Sequence, residues 1–347
     1  AMLENHYELA VAIDGLRAAE SETRIKSAAS LMFISEGLGP ERTREELLPF
    51  LSDSIDDDDL VLLKLSSSIP LLTSKHLGGK EHMHMLLQPL ELLLTVEESS
   101  VRTSAIESLT KILPELPNAS VSAYLVPMVQ RLGTREWFTS RISASLILPL
   151  LIPLLDVSEV EPLLSLFNSL CNDDTPMVRR HASKSISPLL ENLIKHHYSK
   201  NILEASSPLH TTILPLFTTL SCDDQDSVRL QTTMNCISLT EVLVSTQDSS
   251  PSLDAVVQER ILPLLKSCIT DRSWRVRWTV GNNFGKLGAY DLSTEYVALA
   301  TDSESEVRIA ALTQLGQVAS EKNRDLIVGL CEKVCEDVND KVRGELV

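Results

Sequence analysis

A short motif recurs along this chain of 347 residues at a nearly constant interval, and that period constrains the fold more than any other feature. The motif is an acidic residue, a few intervening residues and, in most copies, Val-Arg, followed by a run rich in Ala, Ser and Leu. Its arginine column falls at positions 24, 63, 102, 141, 179, 229, 277, 308 and 343, with leucine at 63. The first four intervals are 39, 39, 39 and 38 residues, and the later ones are 50, 48, 31 and 35. Chance does not produce four such intervals in a row, so the chain is built from repeats.

Each repeat predicts two helices. An apolar run precedes the motif and often holds a proline, as in Ile213-Leu-Pro215. After the motif, Val101, Ala105 and Leu109 follow one another at the spacing of a helix face. The acidic link between the two helices is expected to cap the second helix and to meet the positive end of its dipole. No stretch alternates with period two, so we expect no sheet.

A helix pair of this size cannot bury both of its faces alone, so such pairs must stack. We therefore predict an all-α fold, an α-solenoid of about nine stacked helical hairpins in a single domain. Aromatic residues make up only 4% of the chain, which fits thin layers of leucine. The predicted repeats span approximately residues 2–40, 41–79, 80–117, 118–156, 157–200, 201–250, 251–288, 289–320 and an incomplete 321–347.

Repeats in the second half of the chain depart from the regular pattern, and the stretches around 191–211 and 244–257 are longer than the period allows. The eighth is about eight residues short by the spacing of its arginine, and its first helix is predicted at 293–301. In the seventh repeat Gly281, Gly285 and Gly288 fall within the predicted second helix. Each glycine there costs about 1 kcal/mol relative to alanine. The packing of repeats seven and eight is thus expected to differ from that of the others.

Charge and composition exclude several function classes. The chain has 31 Lys and Arg against 48 Asp and Glu, a formal net charge of −17. This argues against binding to nucleic acid, which needs a basic face, and against docking on an anionic membrane. The longest uncharged apolar stretch, residues 142–155, is interrupted by prolines and is shorter than the roughly 20 residues that span a bilayer.

The remaining sequence features predict a non-catalytic, intracellular protein. The six cysteines are scattered singly apart from Cys331 and Cys335, and no secretory signal is visible, so a reducing compartment is expected: the cytoplasm, with the nucleus as a second location. No glycine-rich phosphate loop, nucleophile elbow or zinc-protease helix occurs. We therefore expect no enzyme, no cofactor and no metal site.

The sequences of the turns carry a more specific resemblance. They include Trp137-Phe-Thr-Ser-Arg141, Asp173-Asp-Thr-Pro-Met-Val-Arg-Arg180 and Ser273-Trp-Arg-Val-Arg277. With residues 38–51, 95–102 and 224–230, these segments resemble, in order, the scaffold (A, structural regulatory) subunits of protein phosphatase 2A, a HEAT-repeat family. The resemblance covers essentially the whole chain and corresponds to the N-terminal portion of that family.

The resemblance implies a scaffold without catalysis. In that family the N-terminal repeats bind interchangeable regulatory B-type subunits through the turns within repeats, and the C-terminal repeats hold the catalytic subunit. The expected partners are therefore B-type subunits, whereas the catalytic subunit would be held only by C-terminal repeats that are not present here. The predicted partner-binding residues are Asp57, Asp58, Glu97, Glu98, Trp137, Phe138, Asp174, Thr175, Pro176, Met177, Arg180, Ser273, Trp274 and Arg275.

The residue types support such a surface independently of the resemblance. Acidic residues recur in the turns at the repeat period, and stacking would align them into a ridge that attracts a basic partner surface. Capping accounts for one acid per turn and leaves a surplus. Trp137 and Trp274 lie in turns, where an exposed tryptophan commonly anchors an interface.

Other interpretations of these residues stay open. The arginine column is expected to be mainly structural, each guanidinium bonding the aspartate or the carbonyls of the neighbouring turn. Trp278, one turn into its helix, is expected in the core. The alternative function is a HEAT-repeat transport or assembly adaptor unrelated to phosphatase, which would bind peptides through polar residues on its inner helices.

Overall fold

The computed structural model describes residues 2–54, 56–245 and 251–346. Every regular element in these ranges is helical, and 79% of the structure is helix, which confirms the predicted all-α HEAT-repeat class. The chain forms two compact units, Ala1–Leu170 and Cys171–Val347. The repeat boundaries themselves stay a prediction. No helix in the described ranges is long and apolar enough to cross a bilayer.

The N-terminal unit alternates between the first and second helices of successive hairpins. The first helices of hairpins one and five are the continuous helices Met2–Gly15 and Val157–Cys171. Those of hairpins two, three and four are divided into segments. The segments are Pro40–Arg42, Thr43–Leu47 and Leu48–Asp53 in hairpin two, Ser74–Leu77, Lys80–Leu86 and Leu87–Leu93 in hairpin three, and Asn118–Ser120, Val121–Leu125 and Val126–Thr134 in hairpin four. The second helices are Ser21–Ala29 with Leu31–Leu38, Asp59–Ser68, Ser99–Ile112 and Phe138–Leu151, and the last three end in the short 3-10 turns Ile69–Leu71, Leu113–Glu115 and Ile152–Leu154.

The C-terminal unit continues the same alternation. Its first helices are Leu209–Ile213 with Leu214–Ser221, then Pro251–Val256 with Val257–Ile261 and Leu262–Ile269, then Ser293–Ala300, and then Glu321–Asn323 with Arg324–Cys335. Its second helices are Pro176–His196, Asp226–Ser245, Trp274–Asn282 with the 3-10 turn Phe284–Leu287, Ser305–Leu312 with Leu315–Val318, and Asp340–Gly344.

The valine of the Val-Arg motif is a core residue. It is completely buried at each occurrence, namely Val101, Val178, Val228, Val276, Val307 and Val342. Full burial of one aliphatic side chain contributes about 1.5–3 kcal/mol. The motif therefore fixes the buried face of each second helix and places the adjacent arginine at the edge of that face.

Prolines in the first helices coincide with a local widening of the helix. A five-residue π-helical turn ends two residues before Pro49, Pro127, Pro215 and Pro263 in turn. A proline inside a helix lacks an N–H and its ring clashes with the carbonyl four residues earlier. The π turn relieves this conflict, because its backbone hydrogen bonds join residues five apart instead of four and so widen the helix before the proline.

The first helix that the sequence predicts at 293–301 is present. It spans Ser293–Ala300, and the fully buried Tyr296 anchors it by donating a hydrogen bond of 2.9 Å to the carbonyl of Ala311. At Gly281 an added Cβ would lie 3.4 Å from the backbone nitrogen of Ala311, an ordinary van der Waals distance, so the contact between these two second helices does not itself require glycine. The predicted placement of Gly285 and Gly288 within the second helix is wrong, because the α-helix ends at Asn282; Gly285 lies in the 3-10 turn Phe284–Leu287 and Gly288 follows it.

Each motif arginine closes its own turn. Nη1 of Arg229 donates to the carbonyl oxygens of Asp223 and Asp224, at 2.7 and 3.1 Å. The sequence predicts carbonyls of the neighbouring turn as acceptors, and that detail is wrong because the side chain folds back over its own turn. The same pair of bonds is made by Arg24, Arg102, Arg141, Arg179 and Arg308.

Five of the motif arginines also bond the aspartate of the following turn. Nε and Nη2 of Arg229 each donate to one carboxylate oxygen of Asp271, both at 2.8 Å. We call this series of pairs the arginine ladder, and it confirms the predicted structural role of the column. Its other members are Arg24–Asp57 in the N-terminal unit and Arg179–Asp223, Arg277–Asp302 and Arg308–Asp337 in the C-terminal unit.

The ladder aspartates do not cap the helices as predicted. Instead, Oδ1 accepts the backbone N–H two residues later, as Asp271 does from Ser273 at 2.7 Å and Asp302 from Glu304 at 2.9 Å. This is an Asx turn, which stabilises the link before the helix begins. Glu98 is an exception: it is a true N-cap and accepts the N–H of Ser100 at 3.0 Å.

We predict that Arg179→Ala destabilises the C-terminal unit by about 2 kcal/mol. The substitution leaves the largely buried Asp223 carboxylate without its ion pair and two backbone carbonyls without their hydrogen-bond donor. Arg180→Ala is the matched control at the next residue. Arg180 is exposed, so its loss should change stability by less than about 0.5 kcal/mol. Urea unfolding followed by circular dichroism measures both variants. Equal effects of the two would contradict a stabilising ladder.

The ladder also predicts a pH dependence. At Asp302 burial acts to raise the pKa, but the hydrogen bonds from Arg277 and from the Glu304 amide outweigh it, so the pKa lies below the ordinary 3.8. A carboxyl with a lowered folded pKa stabilises fully above its unfolded pKa and loses that contribution as the pH falls through the folded value. Asp302→Asn should therefore lower the urea midpoint at pH 7, and the difference from the parent should shrink below pH 3.8. A difference that stays constant down to the acid limit of folding would argue against this assignment.

Candidate partner-binding surface

The ladder divides the turn acids into two kinds. In the two ladder turns where a second acid follows the ladder aspartate, the ladder aspartate is largely buried and the second acid faces solvent. The side chain of Asp57 is only 15% exposed, whereas that of Asp58 is 63% exposed. Asp223 and the exposed Asp224 repeat this arrangement. The surplus of acids that the sequence predicts is therefore displayed at the surface of the turns, one residue after the ladder.

In the N-terminal unit, the exposed acid of the third turn is Glu97, while Glu98 is half-buried. The hydrogen bond from the Ser100 amide holds the pKa of Glu98 below its usual range. Glu98 therefore stays ionised, but its charge is partly committed to its own helix. Glu97 is the freer of these two predicted contact residues.

Trp137 lies one turn further along and is open to solvent. It is the residue before helix Phe138–Leu151, 51% of its surface is exposed, and its ring centroid is 5.6 Å from that of the half-buried Phe138. A mobile indole would be a poor anchor, but this turn is fixed to the preceding one. The Thr139 hydroxyl donates to the carbonyl of Thr95 at 2.7 Å.

A second bond supports the same contact between these turns. The Ser143 hydroxyl donates to the carbonyl of Leu94 at 2.7 Å, within the core. Together the two hydroxyls fix the turn that carries Trp137 against the turn that carries Glu97 and Glu98. The structure thus places these predicted residues on adjacent turns of one unit, with an exposed aromatic ring on one turn and an exposed acid on the other.

The C-terminal unit presents the predicted residues of the fifth turn at the start of helix Pro176–His196. Asp174 and Arg180 are exposed, and Met177 is 48% exposed. Thr175 precedes the helix, and Pro176 occupies its first position, where the missing N–H costs nothing. Met177 and Arg180, three residues apart, lie on the same side of the helix. An apolar and a cationic side chain therefore stand next to an exposed carboxylate.

The seventh turn is tied to the sixth by polar contacts. The Ser273 hydroxyl donates to Asp226 at 2.9 Å, and Nη1 of Arg275 lies 3.9 Å from the same carboxylate. Trp274 begins the second helix of this hairpin and is 43% exposed. Ser273 is half-buried and Arg275 is exposed. The predicted tryptophan is therefore accessible, and its turn has a fixed position.

The prediction that Trp278 lies in the core is wrong. It is 38% exposed and lies four residues after Trp274, so both rings stand on the same helix face. The buried face is set by Val276 and Val280, both fully buried. Trp278 lies midway between these two valines in the sequence, on the opposite side of the helix. The spacing of the valines is the signal that identifies it as a surface residue.

Metal binding has no support in the part of the chain that is described. Within those ranges no group of three or more His, Cys, Asp and Glu side chains is arranged to hold a metal ion. The predicted partner residues lie on turns of both units and include carboxylates, tryptophans and single cations. Their part in binding stays a prediction.

No model of a protein family matches the chain, but individual curated proteins do. It is 40% identical over 282 residues to the A-type regulatory subunit of protein phosphatase PP2A from Schizosaccharomyces pombe, which covers 81% of this chain and 44% of that protein. It is 31% identical over 288 residues to the protein of the same name in Saccharomyces cerevisiae, with 82% and 44% coverage. The beta isoform of the human 65 kDa A-type regulatory subunit of phosphatase 2A is 45% identical over 180 residues, 52% of this chain and 30% of that protein.

These relatives confirm the resemblance that the turn sequences predict. The chain spans less than half of the length of each of the three, so the comparison concerns a part of those proteins. Among solved structures, the karyopherin Kap121p matches with a TM-score of 0.67 and 13% identity, over 97% of this chain and 36% of its own. The Kap95:Nup1 complex matches with a TM-score of 0.59 and 16% identity, over 96% and 43%. At this level of identity these matches establish the fold alone.

Proposed function

We propose that this chain is a non-catalytic scaffold subunit, or part of one, in a protein phosphatase 2A complex. The observation that carries the proposal is the 40% identity over 282 residues to an A-type regulatory subunit of PP2A. A relative in Dictyostelium discoideum, 37% identical over 201 residues, is named as the scaffold subunit of protein phosphatase 2A. A stack of hairpins whose turns are cross-linked by an arginine ladder suits a scaffold, because it presents turn side chains at fixed positions.

The partners we propose are regulatory B-type subunits, bound through the turns within repeats. The exposed Trp137 and the exposed Glu97 on the preceding turn support this. Aromatic side chains commonly anchor protein interfaces. Charges around them steer the correct partner and disfavour wrong ones. The acids that follow the ladder favour a partner with a basic surface. We propose that the catalytic subunit is held only by further C-terminal repeats of the family, outside this sequence.

A transport or assembly adaptor is the alternative function. The karyopherin matches support its fold and nothing more, and the turn sequences favour the phosphatase scaffold. A pull-down from cytosol of the source, analysed by mass spectrometry, separates the two: phosphatase subunits are expected in one case and transport cargo in the other. The cytoplasmic location, with a nuclear pool, is likewise a proposal, supported by six free cysteines and tested by imaging a tagged chain.

Trp137→Ala should weaken binding of a regulatory B-type subunit by roughly thirtyfold or more, because truncation of a central aromatic anchor costs about 2 kcal/mol or more. Folding should stay intact, since half of the side chain is exposed and it contributes little to the core. A titration by isothermal calorimetry or surface plasmon resonance measures the change. Gln130→Ala, at an exposed position on the first helix of the same hairpin, is the matched control.

A result in which Trp137→Ala binds like the parent, while Gln130→Ala binds more weakly, would place the partner on another surface. Glu97→Lys adds a second, kinetic test. It should mainly slow association and make it less sensitive to salt, because an exposed charge at the edge of an interface steers the encounter.

The purified chain is expected to have no phosphatase activity of its own. The basis is that its curated relatives are named regulatory or scaffold subunits. Incubation with a phosphopeptide and assay of released phosphate should give no turnover above buffer. Turnover that persists after contaminating phosphatases have been removed, and that increases with the amount of chain, would refute the non-catalytic assignment.

A further inference from the structure

A small apolar pocket opens between three helices at the start of the N-terminal unit. Its volume is about 100 Å³, and its wall includes Ile13 from the first hairpin's first helix, Leu16 just after that helix, Ile34 and Leu38 from the second helix, and Phe50 from the next hairpin. Leu16 and Ile34 are buried and form the floor, whereas the other three are half-buried and lie near the mouth. None of the residues predicted to bind regulatory subunits lines this pocket.

Two arginines stand at the rim, and they differ in what they already bind. Arg42 is neutralised by Glu46 on its own helix: Nε donates to Oε1 at 2.8 Å and Nη2 to Oε2 at 2.9 Å. Arg17 is exposed and lies over the ring of Phe50, with its guanidinium carbon 4.8 Å from the centroid. Among the described residues Arg17 forms no ion pair.

Stacking on a ring prepares an arginine to bind an anion. The ring face holds the planar guanidinium in place, while its five N–H donors point outward in the plane, in the fork that matches a carboxylate. The aromatic contact thus removes part of the entropy that a free arginine would lose on binding. Beside it, the apolar pocket of about 100 Å³ is smaller than the cavity of about 150 Å³ that holds benzene, so its occupant is limited to a smaller group such as an aliphatic side chain.

We propose that this pocket binds a partner segment in which an aliphatic side chain has an aspartate or glutamate beside it. The aliphatic group enters the pocket, and the carboxylate takes a bidentate pair of hydrogen bonds from Arg17. The net charge of −17 repels acidic segments from the chain as a whole. Affinity for an acidic segment must therefore come from this local arrangement, which makes the proposal separable from general electrostatic attraction.

The test uses two capped tripeptides that differ only in charge: acetyl-Asp-Leu-Asp-amide and acetyl-Asn-Leu-Asn-amide. Binding is followed in the full chain by NMR of isotope-labelled isoleucine methyl groups, because Ile13 and Ile34 line the pocket and report on it directly. We expect the acidic peptide to shift both methyl signals in a saturable way at millimolar concentration. The neutral peptide should bind about tenfold more weakly or less, since a hydrogen-bonded charge is lost.

Two variants of the chain complete the test. Arg17→Met keeps an apolar stem over Phe50 and should weaken the acidic peptide about tenfold while leaving the neutral peptide unchanged. Lys26→Met removes an exposed cation on the neighbouring helix and should change neither. If Arg17→Met does not fold, the difference in affinity between the two peptides on the parent chain still tests whether the pocket prefers a carboxylate.

The proposal is overturned if the two peptides bind equally, if neither shifts the two methyl signals, or if Lys26→Met weakens the acidic peptide as much as Arg17→Met does. None of these measurements involves a phosphatase subunit. The outcome is therefore independent of the proposed scaffold function, which is tested at Trp137 on a different surface of the same unit.

Discussion

The structure depends on one repeated interaction, the bond network of the motif arginine. A protein whose repeats contact only their neighbours has no long-range contacts to set the register of the stack, so each step must be fixed locally. The arginine does this because one planar group with five donors can close its own turn and bind the next one. Arg229 shows the complete set: two carbonyls of its own turn and both oxygens of Asp271. The valine beside it buries the helix to which the arginine is attached.

Much of this follows from the sequence, and the exceptions have physical causes. The period, the helix pairs, the buried valine and the structural arginine can be predicted because each repeats at a fixed spacing. The role of the acids is harder to predict: capping and an Asx turn use the same residue type within two positions of each other, and only the backbone separates them. Distance from the turn alone places Trp278 in the core, although Val276 and Val280 define the opposite face as buried. The π turns before the prolines have no composition signal of their own beyond the proline.

The ladder also determines which acids are available to a partner. A carboxylate that binds an arginine of the preceding hairpin is half-buried and has little left to offer, as Asp57 and Asp271 illustrate. Where an acid follows one residue later, as Asp58 and Asp224 do, it is held in place by the same turn but stays exposed. A rigid turn thus displays a charge without a large loss of side-chain and backbone entropy on binding, and such preorganisation favours affinity. The ladder aspartate therefore stabilises the stack, and the neighbouring acid in the same turn is available to a partner.

The place where the ladder is interrupted coincides with the surface around Trp137. Leucine at position 63 cannot bind the following turn, so Glu97 and Glu98 receive no arginine from that hairpin. Arg102 is buried and bonds its own carbonyls, and the turn that follows it carries Arg135, which pairs with Glu91 at 2.9 Å. The hydroxyls of Ser108, Thr139 and Ser143 bond carbonyls of the preceding hairpin and so replace the missing rungs. Because these neutral bonds fix the stacking of the hairpins there, Glu97 and Glu98 are not needed for a ladder pair with another hairpin. The exposed Trp137 lies on the next turn. A surface of this kind is what a scaffold needs at a docking position, and it arises where the motif fails, not where it is most regular.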